Sequence, residues 1–420
     1  MNQTVRVYSS GTLGETTMKQ QPCLLFYCQH SLGMGHLIRS LTLARQLSNS
    51  FRVVFLNGGR LPDAIPIPDS IELVDLPSLE MGADSQLVSR QCGASLMQIK
   101  NLRRQQILSV YDRIQPDVVL IELFPFGRKK FAFELLPLLR QASSSTPRPV
   151  VVCSVRDILV DQRRDQQRHD DRARWLVDRY FDAVLVHSDP VLSCLQESFR
   201  PRHVLKKQIY HTGFISADSS QTIPANSESR HRADIVVSAG GGIVGAPLFR
   251  CMIEAYPLIL QNHDIQDDIQ VSIVAGPFLP EAEWQYLQDQ SRQLANLTVY
   301  RSVPDLRTVL RNARVSISQC GYNTAMDLLQ TGIPSLVVPY SQARENEQQR
   351  RAEQLADLGV LMVLPEHQLN AQNLANKIIE LLDFKPGINT LNLSGATITQ
   401  AILEDLVKQS ITENRHDSVA

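Results

Sequence analysis

The chain has 420 residues, 43% hydrophobic and 20% charged, with a formal net charge of −1. So neutral a balance argues against a nucleic-acid partner, and a length beyond the ~250–300 residues at which one core stops growing argues for two domains of about 200 residues each. Seven scattered cysteines (Cys23, Cys28, Cys92, Cys153, Cys194, Cys251 and Cys320), none in a C-x-x-C pair, read as buried free thiols in a reducing cytosol rather than as a disulfide framework or metal site.

The first twenty residues are polar and lack an apolar h-region, so 1–21 is expected to be a flexible tail and not a signal peptide. No later run approaches the ~18 apolar residues of a spanning helix. Short apolar runs then alternate with helical patterns, which predicts parallel strands with crossover helices, a doubly wound α/β architecture. Strands are predicted at Leu24–Cys28, Arg52–Leu56, Val118–Ile121, Val150–Ser154 and Ala183–His187 in a first domain spanning 22–215.

Between the first strand and its helix lies HSLGMGHLIRSLTLARQL, His30–Leu47. Gly33 and Gly35 permit a tight turn and a close backbone approach by ligand. His36 falls at the helix start, where a helix N-terminus disfavours imidazolium and so suits a neutral base; a structural cap is the other use of such a residue. Open α/β sheets bind ligands at the carboxyl ends of their strands. On that rule Glu122, Arg156, Asp157 and His187 become candidates for contacting an acceptor, with caps and loop-anchoring ion pairs as the competing use. Asp157 or Glu122 would orient His36 or replace it as base. The mixed aromatic and basic run Phe124–Phe131 is a candidate for peripheral membrane contact.

Ser216–His231 is polar, Ser-rich and reads as an interdomain linker. A second domain is expected over 232–410, with strands at Asp234–Ser238, Val271–Ala275, Thr298–Arg301, Val315–Ser318 and Ser335–Val338 and a flexible tail over 411–420. Gly240, Gly241 and Gly242 follow its first strand and precede a helix, which leaves backbone N–H groups free for a pyrophosphate. The run does not fit GxxxxGK[ST], so an ATP-hydrolysing loop is not expected. The most informative stretch is Ser318–Gln349, SQCGYNTAMDLLQTGIPSLVVPYSQARENEQQ. Gly321, Asn323 and Thr324 sit at a helix start and offer phosphate donors. Asp327, one to two turns on, suits ribose hydroxyls, and Glu347-Gln348 suits sugar hydroxyls; helix capping is the plainer use of Asn323, Thr324 and Glu347.

GYNTAMDLLQTGIPSLVVPY…ENEQQRRA resembles the C-terminal donor-binding region of glycosyltransferase family 28 and of the related UDP-glucuronosyltransferases, and GMGHLIRSLTLARQL resembles the N-terminal GxGH motif of the same superfamily. The resemblance runs from about Cys23 to Ile379. It implies a GT-B fold, two Rossmann-like domains facing a central cleft, and inverting, metal-independent transfer of a hexosyl group. By the same resemblance Asp327 is the ribose carboxylate, Glu347-Gln348 the donor-sugar pair, Gly240–Gly242 the phosphate loop and His36 the N-terminal active-site histidine. Backbone near Arg301, including Ser302 and Val303, would read the nucleotide base, with uridine expected. The SLGMGH loop departs from the GGTGGH form of the peptidoglycan enzymes. Its GxGHxxR form is closer to a shorter UDP-sugar hydrolase of the superfamily.

The expectation is therefore a cytoplasmic glycosyltransferase, with contact at the inner membrane face as a variant. Its partners would be a UDP-sugar donor and a sugar, lipid or small-molecule acceptor, with no cofactor and no metal. A UDP-sugar hydrolase or epimerase on the same fold is the alternative, and a catalytically silent sugar-nucleotide sensor the third. A nicotinamide dehydrogenase is disfavoured because no GxGxxG follows either domain's first strand.

Overall fold

The computed structural model describes residues 21–30, 35–61, 65–82, 86–89, 93–159, 163–216, 233–261, 269–341 and 346–417. Gly33, all of the expected N-terminal tail but Gln21, and all of the linker but Ser216 lie outside the described residues.

The first domain runs β1 (Cys23–Cys28), α1 (Gly35–Leu47), β2 (Arg52–Asn57), β3 (Ile71–Asp75), a hairpin of β4 (Glu80–Met81) and β5 (Leu87–Val88), α2 (Leu96–Ile114), β6 (Val118–Glu122), α3 (Ala132–Ser144), β7 (Val150–Arg156), α4 (Gln166–Tyr180), β8 (Ala183–His187), α5 (Leu195–Ser198) and β9 (Gln208–His211). The second runs β10 (Ala233–Ser238), α6 (Ala246–Leu260), β11 (Val271–Val274), α7 (Glu281–Ser291), β12 (Leu297–Tyr300), α8 (Leu306–Arg311), β13 (Ala313–Ser318), α9 (Tyr322–Thr331), β14 (Ser335–Val337), α10 (Glu347–Asp357), β15 (Met362–Val363) and α11 (Ala371–Asp383). A last helix, α12 (Gly395–Asp417), follows.

All ten predicted strands form, each within two residues of its predicted bounds. They join two parallel sheets in the orders β3-β2-β1-β6-β7-β8-β9 and β12-β11-β10-β13-β14-β15. Helices cover both faces of each sheet, so strand residues such as those of β1 are buried throughout. That double covering is why these strands read as continuous apolar runs rather than alternating ones. Each order reverses direction once, between β1 and β6 in the first sheet and between β10 and β13 in the second. Loops leave the two reversal points on opposite sides of the crevice where doubly wound sheets bind ligands.

Two chain crossings join the domains and bond to one another. Phe214 N–H donates to Asn392 O at 2.7 Å, and Gly395 N–H to Phe214 O at 2.9 Å. Gly213, at φ +81°, passes so close that a Cβ would fall 2.6 Å from the Asn392 backbone oxygen, which requires glycine there.

The domain bounds drawn from the sequence need correction at their C-terminal end. Residues from 395 do not stay with the second domain: Ala396, Leu403 and Val407 of α12 enter the first-domain core beside Leu37, Leu41 and Phe26. The expected tail over 411–420 is helical to Asp417. Gln46–Gln400 at 2.8 Å and Ser50–Glu404 at 2.6 Å fix the helix along α1. Because Leu403 is fully buried, Leu403→Ala is expected to destabilise the first domain by about 2–5 kcal/mol. Urea unfolding followed by hydrogen exchange at β1 and α1 checks it; protection there equal to wild type would show that α12 contributes nothing to that core.

Candidate functional site

Helix α1 starts at the first reversal point and presents His36 to the cleft. Its partner comes from the neighbouring strand: His36 Nδ1 lies 2.6 Å from Glu122 Oε1 at the end of β6. An ionised carboxylate only accepts, so Nδ1 carries the proton and Nε2 is left as the basic nitrogen. Glu122 is wholly buried and also accepts from Arg39 Nη2 at 2.8 Å. Burial would raise its pKa, but His36, Arg128 and Arg39 hold the carboxyl well below the usual range. Burial pushes the imidazole of His36 down to about 4, against the pull of Glu122. His36 is therefore neutral at physiological pH.

Asp157, the other carboxylate expected to act with His36, does not meet it. It is buried and gripped from across the cleft by Arg351 of α10, with Nε–Oδ2 at 2.7 Å and Nη2–Oδ1 at 3.0 Å. Burial would raise its pKa, yet Arg351 holds it below the usual value. The neighbouring Arg156 pairs with Glu347, which also accepts from Arg351 Nη2 at 2.8 Å. His187 is not on the acceptor side: its ring is buried between Ser154 Oγ at 2.8 Å and Thr212 Oγ1 at 2.9 Å. Only its backbone oxygen reaches the interface, accepting from Tyr322 Oη at 3.3 Å.

Tyr322 is the hub that sequence reasoning missed. Its hydroxyl accepts from Ile215 N–H at 2.9 Å, while the guanidinium carbons of Arg39 and Arg351 lie 5.4 and 5.7 Å from its ring centre. One buried chain of contacts thus runs from Glu122 through Arg39, Tyr322 and Arg351 to Asp157. Arg39 lies three residues from His36 and Arg351 four from Glu347, spacings that put each pair on one helix face. That was the available signal.

In the second domain, α9 opens with Gly321 as its cap, and Asn323 Nδ2 donates to Gly35 O at 3.3 Å. The N-termini of α1 and α9 therefore face each other across the cleft, two partial positive charges directed at one place. Gly321 has open space where a side chain would stand. Thr324 is buried with its hydroxyl beside Gly240, a Cβ on which would lie 3.6 Å away. The loop Gly240–Gly242 caps β10, but its members differ in duty. Gly242, at φ +88°, packs so closely that a Cβ would fall 2.3 Å from Ala275 O, so its glycine serves packing.

Asp327 sits partly covered on α9, and burial pushes its carboxyl up to about 7, with Arg307 opposing and Asp305 assisting. Asp305 itself caps α8, accepting from Arg307 N–H at 3.1 Å. Ser302 is exposed and Val303 half-buried on the loop after β12; neither lines the cleft with His36. Gln348 accepts from Tyr340 N–H at 3.3 Å, so both members of the Glu347-Gln348 pair are held by protein groups. The cleft measures about 980 Å³ and is lined by His36, Arg39, Arg128, Gly321, Tyr340 and Glu347, among others. Among the described residues no three His, Cys, Asp or Glu side chains form a metal-holding group.

Residues 235–399 match the family model described as glycosyltransferase family 28 C-terminal domain. The chain has the two-domain GT-B fold, and its second half is family 28-like. Among curated relatives, the UDP-N-acetylglucosamine–N-acetylmuramyl-(pentapeptide) pyrophosphoryl-undecaprenol N-acetylglucosamine transferase of Desulforamulus reducens is 25% identical over 173 residues, 40% of this chain and 45% of that protein. The protein of the same name from Shewanella frigidimarina is 35% identical over 89 residues, 21% of this chain and 24% of its own length. The matched stretch thus spans less than half the length of these curated relatives. Over nearly the whole chain the fold is similar to CalG4, the calicheamicin glycosyltransferase (TM-score 0.54, 15% identity, 95% of this chain and 98% of that one). It is also similar to Acinetobacter baumannii MurG (TM-score 0.53, 14% identity, 93% and 100%).

The family 28-like half carries Asp327, Glu347 and the glycine loop; His36, Glu122 and Arg128 belong to the half outside that match. One expectation about the rest of the molecule meets its physical limit here. Phe124, Phe126 and Phe131 are buried in the first-domain core, so the aromatic part of the run expected to touch a membrane is not at the surface. Among the described residues no helix is long and apolar enough to cross a membrane, and the six described cysteines are free.

Proposed function

We propose that the chain is a glycosyltransferase that moves a hexosyl group from a UDP-linked sugar to an acceptor hydroxyl with inversion. The observation that carries this reading is the convergence of the α1 and α9 N-termini on one cleft, with the neutral His36 at its edge. The diphosphate would lie against the Gly240–Gly242 loop, Gly321, Asn323 and Thr324, and the ribose would lie against Asp327. The acceptor oxygen attacks the anomeric carbon, the bond from that carbon to the diphosphate oxygen breaks, and His36 Nε2 takes the acceptor proton. Glu122 stabilises the imidazolium so formed. Helix N-termini and backbone donors meet the charge that develops on the departing diphosphate. Glu347 and Gln348 would turn from their protein partners to the sugar hydroxyls when donor arrives.

Asp327 supplies the test. Its carboxyl, raised to about 7, binds a proton below that pH in the free protein, whereas two donating ribose hydroxyls favour the ionised form. The affinity for UDP-glucose should therefore rise with pH and level off above 7, with a limiting slope of about tenfold per unit on the acid side. Asp327→Ala should weaken binding by about 10–100-fold and flatten the profile. Calorimetry of UDP-glucose, GDP-glucose and UDP against both proteins checks this, with UDP release followed in the absence of acceptor. Equal affinity for uridine and guanosine donors, or none in either protein, would sink the donor assignment, and full-rate UDP release without acceptor would replace transfer by hydrolysis.

A further inference from the structure

Four side chains of alternating charge meet where the end of β7 approaches the start of α10. Arg156 and Asp157 belong to the first domain, Glu347 and Arg351 to the second. Asp157 pairs with Arg351 and Arg156 with Glu347, and the contact of Glu347 with Arg351 at 2.8 Å joins the two pairs along one face of α10. The halves differ in their access to water. Neither Asp157 nor Arg351 has any exposed side-chain surface, whereas Arg156 keeps 18% and Glu347 20%, and these two line the cleft. Breaking a buried pair strands its other charge in a medium of low dielectric, while a pair that touches water gives up a partner for little. The quartet therefore has a fixed half and an exchangeable half. Glu347, in the exchangeable half, is also the carboxylate proposed above to receive the donor sugar. Both its oxygens are already engaged, Oε1 by Arg351 Nη2 and Oε2 by Arg156 Nη2. Of these two arginines only Arg156 lines the cleft, the side from which a sugar comes, and Arg351 cannot withdraw without stranding Asp157.

We propose that Arg156 is a latch on the donor-sugar site, a positioning residue that holds Glu347 in the free chain and is displaced by the hydroxyls of the incoming sugar. The inference rests on the transferase reading above and deepens it, because it separates what admits the sugar from what holds the nucleotide. UDP alone has no claim on Glu347 and binds with the latch closed. A UDP-sugar gains hydroxyl contacts to the carboxylate but must first break an ion pair, so part of its sugar-binding free energy is spent on opening. The broken contact spans the two domains. The sugar, and not the nucleotide, thus removes one of the ties between them at this point, while the buried Asp157–Arg351 pair stays in place as a pivot. Removal of Arg156 therefore has an effect opposite in sign to the loss of an ordinary binding residue: it should tighten the donor.

The test is calorimetric titration of UDP and of UDP-glucose into the full chain, as wild type, Arg156→Ala and Arg156→Lys. Arg156→Ala should bind UDP-glucose about three- to fivefold more tightly than wild type, the range expected for a partly exposed ion pair, while its UDP affinity stays within about twofold. Arg156→Lys keeps the charge and should behave as wild type with both ligands. Raising salt screens the pair, so the advantage of Arg156→Ala over wild type should shrink. A variant that folds poorly loses affinity for both ligands and cannot imitate a gain confined to the sugar. UDP bound equally by all three proteins with no gain for UDP-glucose in Arg156→Ala overturns the latch and leaves the donor site standing. A gain of equal size in Arg156→Lys overturns it too, since charge would then not be what holds Glu347. Loss of UDP binding in Arg156→Ala makes the arginine a diphosphate ligand instead of a latch. Failure of wild type to bind either nucleotide removes the donor reading itself, and the latch with it.

Discussion

Replacing His36 with alanine should lower kcat by about 10²–10⁴-fold while the donor KM stays near wild type. The size follows from the proposed role, in which the imidazole would touch only the acceptor proton, which moves in the transition state, and not the nucleotide. Glu122→Gln should fall between, because an amide oxygen still accepts from Nδ1–H at the 2.6 Å contact but no longer offsets imidazolium charge. The pH profile carries a sign that can be checked. With the His36 pKa pushed down to about 4, the base is neutral above that pH, so kcat/KM for this group should be flat through neutrality and fall only as pH drops toward 4. The same depression bears on stability. An unfolded histidine titrates near 6.5, so between about 4 and 6.5 the unfolded chain binds the extra proton and stability is lost as pH falls through that window. A His36→Ala enzyme with intact kcat would remove the histidine from the chemistry.

Arg351→Ala should be the most destabilising single change in the cleft, by about 3–5 kcal/mol, because it leaves Asp157 buried and unpaired. Both side chains are fully buried, and the bond between them spans the two domains. Glu347 would lose one of its two arginine partners, and Tyr322 one of the two guanidinium groups against its ring. Asp157→Ala alone should cost a similar amount, and the double substitution should cost much less than the sum. Thermal unfolding of the four proteins gives the cycle, and small-angle scattering reports whether the domains separate. Strictly additive losses would show that the pair is not coupled.

The fold was largely legible because both sheets are parallel and covered on two faces, which leaves apolar runs that stand out from polar helices. Strands with another character escaped. Ile71–Asp75 carries two acidic residues among three apolar ones at a sheet edge, Gln208–His211 is half polar, and Met362–Val363 is only two residues long. The switch-point rule correctly brought His36 and Glu122 to adjacent strand ends, but it could not choose between Glu122 and Asp157 as the partner. That choice depends on which carboxylate an arginine from the other domain claims, and Arg351 lies 194 residues away from Asp157. His187 shows the converse failure. A strand end satisfies the rule, yet its ring turns inward to two hydroxyls instead of outward to the cleft.

The return of α12 to the first domain makes the order of synthesis matter. Leu24, Phe26 and Leu37 come from β1 and α1, yet the side chains that complete their cover, Ala396, Leu403 and Val407, follow only after the whole second domain has been made. During translation the first domain must therefore wait with one flank bare until the second domain and α12 have left the ribosome. Its nascent form would be the one most in need of a chaperone.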